Sequence, residues 1–190
     1  RALLRVFLDY VIDPQTHSFR LFFDDDWRTL PEHEHVSPGH DIEGSWLLVE
    51  AAEVLGDATL LAEVEAVAVR MAEAVLTRGR DPEGAIVYTL RPDGGDPNRH
   101  WWVQAEGVVG FTNAYQLSGD ERFAAAAQLC WEIIDKQFID RRHGEWFKIV
   151  RPDGTPVSEQ VKTGPWECPY HNARMGYEMC ARLAPMEKPQ

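Results

Sequence analysis

Two histidines occupy matched positions in similar segments of the chain, and they offer the clearest chemistry in the sequence. His40 starts a long helical pattern with Glu43 three residues later, and His171 starts the last helical pattern with Arg174 at the same spacing. Positions three apart share one face of a helix, so a carboxylate there can orient the imidazole. Histidine titrates near neutral pH, which suits removing a proton from one side of a carbon atom and returning one to the other side.

An internal repeat supports the pairing of these two segments. A Glu-Gly pair opens an apolar helical run at Glu43 and again at Glu106, 63 residues later, and both runs end in Gly-Asp after equal lengths. The turn sequence Arg-Pro-Asp-Gly also recurs, at residues 91–94 and 151–154. A repeat of this size predicts an array of helical hairpins that bury their faces against one another. Matched histidines on such hairpins are expected to converge towards one axis.

Hydrophobic periodicity predicts six helices in a single all-α domain that spans residues 1–190. They cover residues 1–12, 40–55, 57–76, 101–117, 120–138 and 170–183. We expect Gly56 and Gly119 to end two of them, and Asp57 and Asp120 to cap the helices that follow. The connections contain a hairpin or loop at residues 17–30 and strand-like runs at 85–90 and 145–150. Six helices correspond to half a closed ring of twelve, and an open half-ring would expose an edge suited to self-association.

Aromatic and polar residues beside the histidines are candidates for binding a sugar. Trp102 and Trp166 precede the repeated polar positions and are predicted to stack on a sugar ring, although core tryptophans are the plain alternative. The predicted substrate-binding polar residues are Gln104, Glu106, Asn172 and Arg174. The histidine-rich stretch at residues 32–35 with His40 invites a metal interpretation, but its spacing favours a solvated loop, so no metal is expected. His17, His33, His35, His100 and His143 are expected at the surface.

Composition excludes several classes of partner. The formal net charge of −12 and the absence of a basic patch argue against nucleic-acid binding. No apolar run is long enough to span a membrane, and no dinucleotide or phosphate-loop motif indicates a cofactor. Three cysteines without paired spacing fit a reducing compartment, so we expect a cytoplasmic protein.

Three motifs in order carry a family resemblance. They are SPGHDIEGSWLL at residues 37–48, WWVQAE at 101–106 and GPWECPYHNAR at 164–174. Together they resemble the successive motifs of the cellobiose 2-epimerase branch of the N-acylglucosamine 2-epimerase superfamily. The resemblance runs from about His17 to Leu183. Pro38 and Gly44 stand where the family pattern has a tyrosine and an alanine, and neither departure changes a catalytic group.

The resemblance implies half of an (α/α)6 barrel and cofactor-independent epimerisation at C2 of a reducing-end sugar. In the implied chemistry the sugar ring opens, one histidine removes the C2 proton, a cis-enediolate forms, and a second histidine reprotonates the opposite face. His40 and His171 match the two acid/base histidines, Glu43 the partner carboxylate, and Trp102 and Trp166 the stacking tryptophans. The family's N-terminal half is absent from this sequence, so we expect little activity from the chain alone.

The predicted substrate is a β-1,4-linked disaccharide whose reducing-end glucose and mannose forms interconvert. The related alternatives are N-acylglucosamine 2-epimerase or mannose isomerase activity. Glycoside hydrolysis on a toroidal αα fold is a further alternative, for which Glu43 and Glu106 would be the candidate carboxylates. A half-barrel that binds sugar or a partner without catalysis is the alternative from a different class.

Overall fold

A computed structural model describes residues 1–30, 35–92, 94–165, 167 and 170–184. The helices are α1 (Ala2–Val6), α2 (Pro38–Leu55), α3 (Ala58–Arg78), α4 (Trp101–Ser118), α5 (Glu121–Ile133) and α6 (His171–Leu183). Short π-helical turns extend α1 over Phe7–Val11 and α5 over Ile134–Phe138. Two short strands, β1 (Arg99–His100) and β2 (Ile149–Val150), pair antiparallel in front of α4.

The helices form two layers whose burial follows from their composition. α4 is buried on nearly every side, and α2 is buried on several sides, as expected for inner helices. α3 and α5 bury only one stripe each and turn their polar faces to solvent. The inner helices α2, α4 and α6 therefore stand side by side, with α3 and α5 packed outside them.

Helix ends confirm the local signals in the sequence. Gly56 and Gly119 terminate α2 and α4 with φ of 73° and 72°, the left-handed conformation that glycine adopts without strain. The Asp57 carboxylate accepts hydrogen bonds from the backbone N–H groups of residues 59 and 60, and Asp120 caps α5 in the same way. These paired signals place each tight turn between an inner and an outer helix.

Close contact between the inner helices α2 and α4 depends on a glycine, which has no side chain, at position 110. A Cβ atom at Gly110 would lie 2.6 Å from the backbone oxygen of Ile42, so α2 and α4 cross in direct backbone contact there. Ile42 and Phe111 are both fully buried in the main core beside this crossing. The crossing fixes the relative positions of the N-terminal ends of α2 and α4.

The connections contain less strand than the sequence predicted. The run at residues 85–90 forms only single bridges, Arg80 with Ile86 and Val36 with Leu90, and β2 covers just the end of the run at 145–150. In the first run, the Gln104 side chain bonds both the N–H and the C=O of Ile86, so these groups are not available to a strand ladder. At residues 17–30 a hairpin-like loop is confirmed by bridges from Ile12 to Phe19 and from Phe23 to Thr29.

No helix within the described residues combines the length and apolar composition needed to cross a bilayer.

Candidate active site

The N-terminal ends of the three inner helices meet and carry most of the predicted site residues. The contributors are His40 and Glu43 from α2, Trp102 and Glu106 from α4, and His171 and Arg174 from α6. Because each residue lies in the first two turns of its helix, the arrangement depends on how the three helix ends are aligned.

Glu106 is the centre of the cluster. It is only 1% exposed, and all of its charge is met by donors from other elements. Nδ1 of His171 lies 2.6 Å from Oε1 of Glu106, Nη2 of Arg174 donates to the same oxygen at 2.7 Å, and Nε1 of Trp46 donates to Oε2 at 3.0 Å. A buried carboxylate is tolerated only when it is paired in this way.

Arg174 ties the three helix ends together. Its Nη2 donates to Glu43 of α2 as well as to Glu106 of α4, and its Nη1 donates to the Tyr170 hydroxyl at 2.7 Å. The guanidinium also lies 5.0 Å from the centre of the Trp46 ring. Burial alone would lower the pKa of Arg174, but the hydrogen bonds and charges of Glu106 and Glu43 outweigh it and raise the pKa.

Trp102 contacts both of the predicted acid/base histidines. Its ring centre is 4.8 Å from that of His40 and 5.4 Å from that of His171. Each imidazole is held through Nδ1, His171 by Glu106 and His40 by the Ser37 hydroxyl at 2.7 Å. Within the described part of the chain, no hydrogen bond occupies Nε2 of either ring. Both Nε2 atoms are therefore available for proton transfer.

The environment favours a neutral His40. Although an edge of the residue is exposed, its packing against the cluster removes enough water from the imidazole to lower its pKa. The negative charge of Glu43 opposes this effect, and His171 adds to it. A neutral imidazole at physiological pH can accept a proton as a general base.

Three groups in the cluster have the geometry of metal ligands. Ligand atoms of Glu43, Glu106 and His171 lie within 4.8 Å of one another. The Arg174 guanidinium, however, already bonds both carboxylates and supplies the positive charge that a cation would bring. The chemistry of this donor set is that of an ion-paired acid/base site. Residues 32–34 of the alternative histidine-rich stretch lie outside the described residues.

Comparison with known proteins identifies the family of the chain. The sequence profile described as N-acylglucosamine 2-epimerase (GlcNAc 2-epimerase) matches residues 1–174. The chain belongs to the N-acylglucosamine 2-epimerase family. It is 44% identical over 179 residues to the cellobiose 2-epimerase of Bacteroides fragilis, covering 93% of this chain and 45% of that protein. It is 40% identical over 175 residues to the cellobiose 2-epimerase of Ruminococcus albus, covering 92% of this chain and 44% of that protein.

A solved family structure confirms the fold expected from the sequence. The sugar epimerase from a ruminal bacterium superposes with a TM-score of 0.88 and 37% identity, covering 98% of this chain and 46% of that chain. The all-α, partial (α/α) barrel prediction is thus confirmed. The chain spans about half the length of the curated relatives it matches.

Two other predicted site residues of this family member, Gln104 and Asn172, bond groups outside the cluster. Gln104 is fully buried, and its amide donates to and accepts from the backbone of Ile86 at 2.7 and 3.0 Å, so it supports the 80–90 loop and does not reach the cluster. Asn172 donates to Oε1 of Glu145 at 2.7 Å, on the loop before β2. Trp166 lies outside the described residues.

Several functional contacts were missed by sequence reasoning. Ser37, and not Glu43, makes the hydrogen bond that holds His40, while Glu43 acts on that imidazole through its charge. Trp46 is buried in the core, and its indole N–H also bonds Glu106. His100 was expected at the surface, but its side chain is only 12% exposed and stacks on the Tyr88 ring. Trp46 lies three residues after Glu43, on the same face of α2, and this spacing could have indicated the contact between Trp46 and Glu106.

Proposed function

We propose that the site carries out cofactor-independent epimerisation at C2 of a reducing sugar, the reducing-end unit of a β-1,4-linked disaccharide. The observation that carries the proposal is the pair of imidazoles that both contact Trp102, each held through Nδ1 with Nε2 free of hydrogen bonds from the described residues. Two bases that face one carbon from two sides are what inversion at that carbon requires.

The reaction follows from the acidity of the C2 proton beside the aldehyde of the open-chain sugar. One imidazole accepts this proton and leaves a cis-enediolate, and the other, as imidazolium, donates a proton to the opposite face of C2. The neutral state favoured for His40 suits acceptance, while the carboxylate of Glu106 beside His171 suits stabilisation of an imidazolium. The roles exchange in the reverse direction, because epimerisation runs both ways.

The identity of the sugar is supported by relatives. The first two proteins compared are named cellobiose 2-epimerases, and both are at least 40% identical to this chain. The proposed substrates are therefore glucosyl-glucose and glucosyl-mannose. N-acylglucosamine 2-epimerases are also related, at 30% identity for the Bos taurus protein over 80% of this chain, which favours the disaccharide over the N-acyl sugar.

The geometry disfavours glycoside hydrolysis. A hydrolase needs two carboxyl groups that flank the scissile bond, one of them protonated as the acid. Glu43 and Glu106 instead both accept hydrogen bonds from the same Nη2 atom of Arg174. Neither carboxyl group is placed to deliver a proton to a glycosidic oxygen.

The test is epimerisation in deuterium oxide. We propose joining the chain to the N-terminal half of the Bacteroides fragilis relative and following cellobiose by NMR. The expected products are glucosyl-mannose and sugar that carries deuterium at C2, with little or none from the chain alone. His40→Asn and His171→Asn should each lower the rate by about 100-fold or more.

His143→Asn is the matched control because His143 lies on an exposed loop far along the chain from either helix end. Its rate should equal that of the unmodified hybrid. Undiminished epimerisation in the double variant of His40 and His171 would refute the mechanism. Release of free glucose without C2 exchange would support a hydrolase in its place.

Self-association is the remaining part of the proposal. An apolar cavity of about 1100 Å³ opens along α1 and α2, lined by Leu4, Phe7, Leu47 and Leu48 among others. We propose that this edge is the contact surface of the half-barrel. Sedimentation of the isolated chain at increasing concentration tests it, and a monomer at all concentrations would contradict it.

A further inference from the structure

A second polar layer links the inner helices two turns further along than the proposed acid/base site. Glu50 and Asn113 each follow the site carboxylate of their own helix, α2 or α4, by seven residues, which is about 10 Å of helix. Arg182 of α6 donates to Asn113 at 3.0 Å and lies within ion-pair distance of Glu50. The three inner helices are therefore joined at two levels, by Arg174 and by Arg182.

The contacts of Arg182 fasten α6 mainly to α4. Nη1 donates to Oδ1 of Asn113 and to Oε1 of Gln116, both at 3.0 Å, and the Gln116 amide donates back to the Arg182 backbone oxygen at 3.4 Å. Nε donates to Glu178 on the same helix at 3.3 Å, and Nη2 lies 3.9 Å from the Glu50 carboxylate. Only 15% of the Arg182 side chain is exposed. A guanidinium buried to this extent is stable only when its donors are paired.

α6 depends on these polar contacts because it buries little apolar surface. In the described part of the chain, Met175 is the one buried side chain of α6, and Met179 is partly buried against the main core. Arg174 links the first turn of α6 to its neighbours, and Arg182 links the last. Two links at different heights fix the direction of a helix as well as its position, which a single link does not do.

Trp46 connects the second layer to the proposed reaction centre. The guanidinium carbons of Arg174 and Arg182 lie 5.0 and 6.0 Å from the centre of its ring. The indole N–H of the same ring donates to Glu106, which bonds His171. A tilt of α6 away from the second layer would therefore disturb both the Trp46 ring and the position of His171.

We propose that Arg182 is a positioning residue for the acid/base pair, because it keeps α6 aligned with α2 and α4 so that His171 meets Glu106. This inference rests on the proposed function, and it adds a residue that lies about three turns after His171 on the same helix. Loss of Arg182 leaves α6 free to tilt about its remaining link at Arg174. Proton transfer should suffer more than sugar binding, since Trp102 stands on α4 and keeps its place.

The test combines kinetics of the hybrid protein on cellobiose with hydrogen exchange of the 190-residue chain, at a temperature where every variant is folded by circular dichroism. Arg182→Ala should lower kcat by about tenfold and leave KM within about twofold. Arg182→Lys keeps the charge but lacks the planar fork that reaches Asn113 and Gln116, so its kcat should lie between the two. In the chain with Arg182→Ala, the Trp46 indole N–H should exchange about tenfold faster relative to the buried backbone N–H of Phe111.

Arg122→Ala is the matched control, because Arg122 also makes two ion pairs, with Glu73 and Asp120, but joins the outer helices. Its kcat and its indole exchange should equal those of the parent. A kcat for Arg182→Ala equal to that of the control, or a loss confined to KM, would overturn the inference, as would unchanged exchange at the indole. Failure of the proposed function is distinguishable, since it shows as a parent hybrid that does not exchange C2. An active hybrid in which Arg182→Ala behaves as the control would refute the positioning role and leave the epimerase proposal standing.

Discussion

Replacing Asp41 by asparagine should remove a cost to stability that appears only as pH rises. Asp41 follows His40 in the first turn of α2, and its side chain is 1% exposed. Oδ1 accepts the Phe19 backbone N–H at 2.7 Å, and Oδ2 has no hydrogen-bond partner among the residues that the structure describes. Burial raises its pKa from the ordinary 3.8 to about 7, against the hydrogen bonds of Phe19 and Ser18 and the positive charge of Arg78. The folded protein therefore prefers the protonated acid.

The magnitude follows from the two pKa values. Below pH 3.8 the carboxyl group is protonated in both states and costs nothing. Between pH 3.8 and about 7 the unfolded chain has released the proton that the folded chain keeps, so stability falls as pH rises. A rise of about three pKa units corresponds to about 4 kcal/mol in the free energy of unfolding, and this stability is fully lost above about pH 7. Asparagine avoids the loss because it is neutral at every pH and can still accept the Phe19 N–H.

The measurement is urea unfolding of the parent chain and of Asp41→Asn between pH 4.5 and 8. The difference in free energy of unfolding should grow in favour of the variant as pH rises, and then level off. Asp153→Asn provides a control without a pH trend in this range, since hydrogen bonds from Thr155 lower the pKa of this exposed carboxyl group below its ordinary 3.8 and its effect on stability changes only at more acidic pH. A difference between Asp41→Asn and the parent that does not vary with pH would refute the reasoning.

Three further substitutions probe the packing. Gly110→Ala should destabilise the chain by about 1–3 kcal/mol, because its Cβ would lie 2.6 Å from the Ile42 backbone oxygen, and an unchanged urea midpoint would contradict this close crossing. Gly176→Ala, in a helix with open space around it, should instead stabilise by up to about 1 kcal/mol in the same assay. Trp46→Phe should cost about 1–3 kcal/mol by removing the donor to buried Glu106, and thermal melting that matches the parent would argue against that bond.

Much of the fold could be predicted because helix ends depend on local chemistry. Gly56 and Gly119 permit the left-handed turn, and Asp57 and Asp120 supply acceptors for the first N–H groups of the next helix. The short strands could not be placed in the same way. The run at residues 85–90 has the composition of a strand, but pairing depends on what lies beside it in space, and this run forms only single bridges to Arg80 and Val36.

The site was predictable to the extent that the repeat determines which residues share a helix end. His40 and His171 converge as expected, because each begins an inner helix. The hydrogen-bond partner of each site residue could not be predicted, since it depends on the spacing between helices. Spacing along α2 suggested that Glu43 would hold His40, but Arg174 from α6 reaches that carboxylate from the other side. Gln104, one turn from the cluster, faces the outer loop instead.

The bonds of Arg174 make the two histidine positions interdependent. One guanidinium nitrogen holds Glu43, which follows His40 on α2, and Glu106, which holds His171. A displacement of α6 relative to α2 would therefore break the bond that neutralises Glu106 and move His171 at the same time. In the proposed reaction, inversion at one carbon uses both imidazoles, so an ionic link between their helices would keep the two rings in register. The buried charges are thus placed where alignment of the acid/base pair depends on them.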